Sequence, residues 1–316
     1  MSVLFNRYYV PLLASLLGPI WATAAVRAQS VTAADPLTTV QQTDSRYQID
    51  GGALSADSTT LFHSFTQFGL LTGESALFSN PTAIETVVGR VLGGDASIID
   101  GQLSVEGTAN LYLLNPAGIL FGENAQLNLG GSFSASTATG LIFDDELFNA
   151  LGTNDFSLFR GAPEGYVFAS GQAGTIVNAG SLTVNAEQSL TLLGGQVINT
   201  GQLSAPGGDI LVMAVPGERL VRLSQTGSLL GLELETLPAA FAQPTAAFAA
   251  STLPALLTGA NELGMATRIT VNPDGTVSLS GSSLQIPLEP GTVIVSGQID
   301  TVDNLGGDIG ILGDQI

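Results

Sequence analysis

Leu111-Tyr112-Leu113-Leu114-Asn115-Pro116-Ala117-Gly118-Ile119-Leu120-Phe121-Gly122 is the stretch that decides how this chain folds. An apolar run from Leu111 to Leu114 stops at an Asn-Pro-x-Gly turn, and a second run, Ile119 to Phe121, stops at Gly122. Downstream, Leu127 and Leu129 alternate with Gln126 and Asn128. After Gly130-Gly131, Phe133, Ala135 and Thr137 alternate with Ser132, Ser134 and Ser136. Short apolar runs broken by Gly and Asn are the pattern of strands. Within the turn, Pro116 pre-sets φ and Gly118 suits the fourth position. Type II needs positive φ at the third position, which disfavours Ala117, so a type I turn is expected.

Outward from this stretch the pattern repeats. Val177-Asn178-Ala179-Gly180-Ser181-Leu182 returns as Ile198-Asn199-Thr200-Gly201-Gln202-Leu203, an offset of 21 residues. Ile99-Asp100-Gly101-Gln102-Leu103 and Val295-Ser296-Gly297-Gln298-Ile299 echo it, and Gly207-Gly208-Asp209-Ile210 returns as Gly306-Gly307-Asp308-Ile309. A period near that length, with Gly or Asn at the corners, describes a coil of parallel strands in which each turn pairs with the turns above and below. Corners favour Gly and Asn because both tolerate positive φ. The fold class expected is all-β, a single-stranded parallel β-helix; an antiparallel sandwich is the runner-up, weakened by the lack of Asn-Gly hairpins.

Two stretches break the pattern. Phe143 to Phe159 reads as an excursion whose Phe residues pack back on the coil, with Asp144-Asp145-Glu146 as a solvated helix start. Leu229 to Ala260 is rich in Ala, Leu and Pro, and Pro238, Pro244 and Pro254 forbid a long helix. From Ile269 strands resume around a turn at Asn272-Pro273-Asp274-Gly275. The division expected is a signal peptide over 1–28, a flexible leader over 29–46, a β-helix over 47–228, an insertion over 229–266, and continuing coils over 267–316 that run on in a longer protein.

The start of the chain supports the first of these. Arg7 gives a positive n-region, Val10 to Ala25 is mostly apolar, and Val26-Arg27-Ala28 places small residues for cleavage after Ala28. That implies the Sec machinery as a partner; a membrane anchor is the alternative, weakened by Pro11, Pro19 and the short apolar run.

Composition narrows the function. Hydrophobic residues make up 45% of the 316, enough for a large core, while charged residues are only 11%. The net charge is −19, and the basic residues are all Arg. Such a chain lacks the basic face that nucleic acid requires. Without Cys it has neither disulfides nor thiolate metal sites.

No candidate catalyst stands out. His63 is the only His. It has no second ligand for zinc and no Gly-x-Ser-x-Gly elbow, so it reads as a hydrogen-bonded His at a coil corner. Asp95, Asp100, Asp209 and Asp308 lie beside Gly, where Asp serves turns. No calcium loop or phosphate loop is present, and no metal, cofactor or enzymatic activity is expected. Asn80-Pro81 is a second Asn-Pro turn.

In order and spacing, several segments resemble the filamentous haemagglutinin N-terminal domain, the two-partner secretion domain, and within it the large cyanobacterial branch. The carriers are Leu61-Phe62-His63-Ser64-Phe65-Thr66-Gln67-Phe68, Phe78-Ser79-Asn80-Pro81, Arg90-Val91-Leu92-Gly93-Gly94, Ile99-Asp100-Gly101, and Asn115 to Gly122 through Gly130-Gly131-Ser132-Phe133. The resemblance implies a right-handed parallel β-helix with extra-helical excursions, and an exported adhesin-like module. It implies a partner, an outer-membrane pore with periplasmic receptor domains, that carries the chain through the periplasm to the cell surface or beyond. Surface glycans or proteins of host or neighbouring cells are then the expected final targets. The family's export motif falls on Asn115, Pro116, Ala117 and Gly118, with Ala117 where Asn is usual; Asn80, Pro81 and His63 form a secondary motif. A carbohydrate-binding or polysaccharide-degrading β-helix is the alternative, and it requires clustered carboxylates on one face.

Overall fold

Leu61, Val87, Leu111, Phe133, Leu190, Ile210 and Ile309 stand in register, one above the next, on seven successive parallel strands. That column is the coil foreseen in the repeats. The structure, a computed structural model, describes residues 30–171, 173–223, 232–241, 290–303, 306–314 and 316, with the strands Ile269–Val271, Val277–Leu279 and Gln285–Ile286. The cleavage site at Ala28, the turn at 272–275 and most of the 229–266 insertion lie outside the described residues.

Each complete coil visits three walls in a fixed order. The leading wall contains Ser75–Phe78, Gln102–Val105, Gln126–Asn128, Ser181–Thr183, Gln202–Ser204 and Gln298–Asp300. The middle wall contains Thr60–Gln67, Thr86–Val91, Asn110–Leu114, Phe133–Ser136, Leu190–Gly194, Ile210–Ala214 and Ile309–Leu312. The trailing wall contains Ser97–Ile99, Ile119–Phe121, Thr175–Asn178, Gln196–Asn199 and Val293–Val295. Inward residues of all three walls form one continuous apolar core. Ile84 to Val91, readable as helix or strand, is strand from Thr86 onward. The described residues hold no α-helix, only 3-10 turns at Phe156–Leu158 and Ala239–Phe241.

The repeats mark true registers. Val177 lies beneath Ile198, Leu203 beneath Ile299, and Ile210 beneath Ile309. The physical reason for the corner glycines differs from the one the sequence suggested. Gly180, Gly201 and Gly297 stack without entering the left-handed region. A Cβ on Gly201 or Gly297 would collide with the carbonyl oxygen of the glycine below. Clearance between stacked corners selects Gly there. Beside this column Asn178 and Asn199 are fully buried, and the Asn178 side-chain amide donates to Asn199 Oδ1 at 2.8 Å. Each asparagine thereby satisfies corner groups that no strand ladder reaches.

Both departures from the coil leave after a middle-wall strand and return at the trailing wall. The first runs from Ala138 to Gly174, the second from Val215 to Thr292. Together they build one antiparallel sheet, ordered Glu146–Asn149, Gly140–Phe143, Gly165–Phe168, Arg219–Leu223, Leu232–Thr236. Its inner face covers the outer face of the middle wall. Phe62 there meets Phe143, Phe148, Phe156 and Phe159, with ring centroids 5.0 to 5.5 Å apart. This explains why Leu111 to Leu114 is apolar on both faces: neither face meets water.

Three segments depart from their sequence reading. Asp144-Asp145 is no helix start; it closes the hairpin between Gly140–Phe143 and Glu146–Asn149, with Asp144 at φ +50°. Aspartate tolerates that conformation, and no helix-length apolar period follows it. Residues Thr32–Ala33 and Thr38–Thr43, read as a flexible leader, are strands. Thr38–Thr43 pairs antiparallel with Arg46–Gly51 at the end of the leading wall. Only one of its faces packs, so its apolar content is low and its Thr and Gln residues are tolerated. Finally, Ile269–Val271, Val277–Leu279 and Gln285–Ile286 pair antiparallel with each other, and the coil resumes only at Val293.

Asp57 clamps the first excursion to the coil. Its Oδ1 accepts from Ser55 Oγ at 2.6 Å and from Thr59 N and Oγ1, and its Oδ2 accepts from Gly161 N at 2.7 Å. Burial raises its pKa, but these hydrogen bonds outweigh it and hold the carboxyl well below the ordinary 3.8. The stabilisation is therefore complete above pH 4 and lost as pH falls below it. At neutral pH, Asp57→Ala should raise hydrogen exchange of the Gly161 amide about tenfold and leave Leu111 to Leu114 unchanged. Equal protection at Gly161 in both proteins would show the clamp to be idle.

Candidate functional site

Asn115 ends the middle-wall strand Asn110–Leu114, and Gly118 precedes the trailing-wall strand Ile119–Phe121. The corner between them is buried, Asn115 to 1% exposure and Ala117 to 2%. Gly118 N donates to the Asn115 carbonyl at 3.0 Å, closing the turn. Ala117 lies outside the left-handed region, as a type I turn requires, while Gly118 takes φ +132°. The side chain of Asn115 does the remaining work. Its Oδ1 accepts from Ala117 N at 3.0 Å, and its Nδ2 donates to the Asp95 carbonyl and to Ser97 Oγ, both at 3.0 Å. One side chain thus shapes its own turn and ties it to the coil before. Aspartate would lack the two donors.

The secondary motif is dispersed. Asn80 Nδ2 donates to the Glu106 carbonyl at 2.9 Å, and Ile84 N donates to the Pro81 carbonyl at 3.0 Å. Both Asn80 and Pro81 line an open cleft of about 390 Å³ with Asp50, Leu54, Leu61 and Glu106. His63 lies elsewhere, and not at a corner. It occupies the inward column His63, Gly89, Leu113, Ala135, Leu192, Val212, inside the coil. It is 0% exposed, and neither ring nitrogen has a hydrogen-bond partner among the described residues. The rings of Phe78 and Phe65 lie 5.6 and 6.3 Å away. Burial pushes its pKa down to about 4, against the opposing pull of Asp35 and Asp50. A corner would have supplied backbone partners; a strand interior, whose amides are engaged in the ladder, supplies none.

Two further polar residues matter: Asp100, which the sequence marked as a turn aspartate without its partners, and Arg90, to which it gave no role. Asp100, 2% exposed, joins three successive corners: it accepts from Thr72 Oγ1, from Asn124 N and from Asn124 Nδ2. Arg90, 7% exposed, points outward from the middle wall. Its Nε donates to Ser64 Oγ at 3.0 Å and its Nη1 to the carbonyls of Asn149 and Gly152 at 2.8 and 2.6 Å, with the guanidinium 5.4 Å from the Phe148 ring centre. A charged residue amid an apolar strand was the available signal for Arg90; its acceptors lie far along the chain.

The acids serve turns. Asp209 Oδ1 accepts from Asp308 N at 3.0 Å, and Asp155 caps the 3-10 turn at Phe156–Leu158. Among the described residues no group of three or more His, Asp or Glu is placed to hold a metal ion. Among them, too, no helix is long and apolar enough to cross a membrane.

Residues 22–240 match the family model described as TPS secretion domain. Over 128 residues the chain is 31% identical to the heme/hemopexin-binding protein of Haemophilus influenzae, a match that covers 40% of this chain and 13% of that protein's length. Among solved structures it is similar to the HMW1 secretion domain from Haemophilus influenzae, with 23% identity and a TM-score of 0.45 over 66% of this chain and 50% of that one. The filamentous hemagglutinin secretion domain aligns at 16% identity and a TM-score of 0.48, covering 66% and 69% of the two chains.

Proposed function

Because the chain belongs to the TPS secretion domain family, we propose that it directs its own export through an outer-membrane partner pore and starts the folding of a surface protein. The match over residues 22–240 carries this reading. In it, the Sec machinery takes the chain into the periplasm and the leader is cut after Ala28. Receptor domains of the pore then accept the chain while it is extended, and the coil forms outside. A chain without Cys threads a pore unhindered by disulfides. The coil is right-handed, as about 98% of parallel crossover connections are. The sequence segments quoted above favour the cyanobacterial branch and a role in adhesion to surface glycans or proteins.

The export motif is Asn115 to Gly118. Asn115→Ala removes the side-chain hydrogen bonds to Ala117, Asp95 and Ser97 that organise a buried corner, and Gly118→Val places a β-branched residue at φ +132°. In the native host, each variant should lower the amount of secreted protein by roughly tenfold while the leader is still removed. Wild-type export of both variants would refute the reading.

A further inference from the structure

We infer that the Asn115–Gly118 turn is the seat on which the chain lands when it rejoins the coil after the first excursion, and that Gly174 is the residue that fits it. The inference deepens the export reading and rests on it for its biological meaning. Its geometry stands alone.

Three observations meet at Gly174. First, it is buried directly over the turn: a Cβ there would lie 2.6 Å from the Pro116 carbonyl oxygen, 2.7 Å from Gly118 N and 2.8 Å from the Ala117 carbonyl carbon. Secondly, its carbonyl accepts from Thr137 Oγ1 at 2.9 Å, so the point of departure and the point of return touch although they are 37 positions apart. Thirdly, the same carbonyl accepts from Gly195 N at 2.9 Å, and the Gly195 carbonyl accepts from Gly291 N at 2.7 Å. The next coil, and then the return of the second excursion, are built on the step that Gly174 makes.

A landing point is needed because alternation alone cannot set this register. A one-residue slip of Thr175–Asn178 would turn Ile176 outward and is excluded by the core. A two-residue slip preserves every face. It would bring Gln172 or Ile176 over the turn, and either carries a Cβ. The turn therefore accepts only the register with Gly174 in place. Asn115 makes the seat rigid before the return arrives, since its side chain is held by Asp95 and Ser97 of the coil below. On this view the motif acts in the folding of the coil, and its residues need not be read as a linear signal.

The test is refolding of the purified full chain from urea, followed by circular dichroism and by protease resistance. Gly174→Ala and Asn115→Ala should each slow recovery of the resistant fold about tenfold. Gly171→Ala is the matched control: it lies three residues away, a Cβ there meets nothing within 4 Å, and it should refold like the wild type. If both residues act through one seat, the double variant should be no slower than the slower single variant. Wild-type refolding of Gly174→Ala, or effects that multiply in the double variant, would overturn the inference. Refolding in buffer involves no pore, so that outcome leaves the export reading intact. Normal export of both Asn115→Ala and Gly118→Val by the host would sink the export reading and leave the refolding result standing.

Discussion

The domain should lose stability as pH falls from 6.5 to 4, and His63→Leu should abolish that loss. His63 titrates at 6.5 when exposed and at about 4 in the fold, because burial inside the coil disfavours the imidazolium. The unfolded chain therefore binds the proton first. Stability from neutral His63 is complete above pH 6.5, falls across the window, and is gone below pH 4. The depression corresponds to about 3 kcal/mol, a large fraction of an ordinary domain's margin. Asp35 and Asp50 act on the same ring and favour its charge, so they reduce the effect without reversing it. Leucine fills the inward position with no polar atom. Because both ring nitrogens are unpartnered among the described residues, the variant should match or exceed the wild type at pH 7 by about 1 kcal/mol. Urea midpoints measured at half-unit steps of pH decide the matter. Parallel curves for the two proteins would show that His63 is not the origin of the acid sensitivity. Asp57 cannot mimic it, since its contribution is lost only below pH 4.

The second large effect is expected at Arg90. Replacement by Ala takes the guanidinium donor from the Gly152 carbonyl and from the Asn149 carbonyl, which keeps Asn154 Nδ2, removes the cation from the face of Phe148, and leaves a void between coil and extra-helical sheet. Losing the charge-assisted hydrogen bonds to these two part-buried carbonyls and taking the guanidinium off the ring together cost about 3 kcal/mol. Arg90→Met keeps the aliphatic stem and should recover only the part due to packing. Arg90→Lys retains the charge but cannot reach Ser64 and both carbonyls from one point, so it too should fall short. Hydrogen exchange would locate the damage: Gly140–Phe143 and Glu146–Asn149 should open while the coil strands keep their protection. A change below about 0.5 kcal/mol in Arg90→Ala would mean that the Phe cluster alone holds the sheet in place.

The coil was legible because its cause is local and repeated. Alternation in the strands, Asn and Gly at the corners, and an offset of 21 between Val177 and Ile198 all follow from one turn of chain stacking on the last. The type I turn at Asn115 was legible for the same reason, since Ala117 excludes the alternative. The excursion around Phe143 could be found from its Phe residues, but not its form. Whether Asp144-Asp145 begins a helix or closes a hairpin depends on the strands that receive it, and one strand of that sheet, Arg219–Leu223, lies far along the chain. The strand Thr38–Thr43 was hidden by its composition: an end strand with one packed face has no need of an apolar pattern.

At the candidate site the division is sharper. The sequence by itself determined that Asn115-Pro116-Ala117-Gly118 is a tight turn between two apolar strands, because φ preferences and side-chain donors are properties of neighbouring residues. Only the tertiary structure decided what that turn touches. It placed Asp95 and Ser97 beneath the turn, set Gly174 above it, and sealed His63 in a strand interior away from any described partner. Such contacts join residues from separate coils, and their geometry exists only once the coils have stacked.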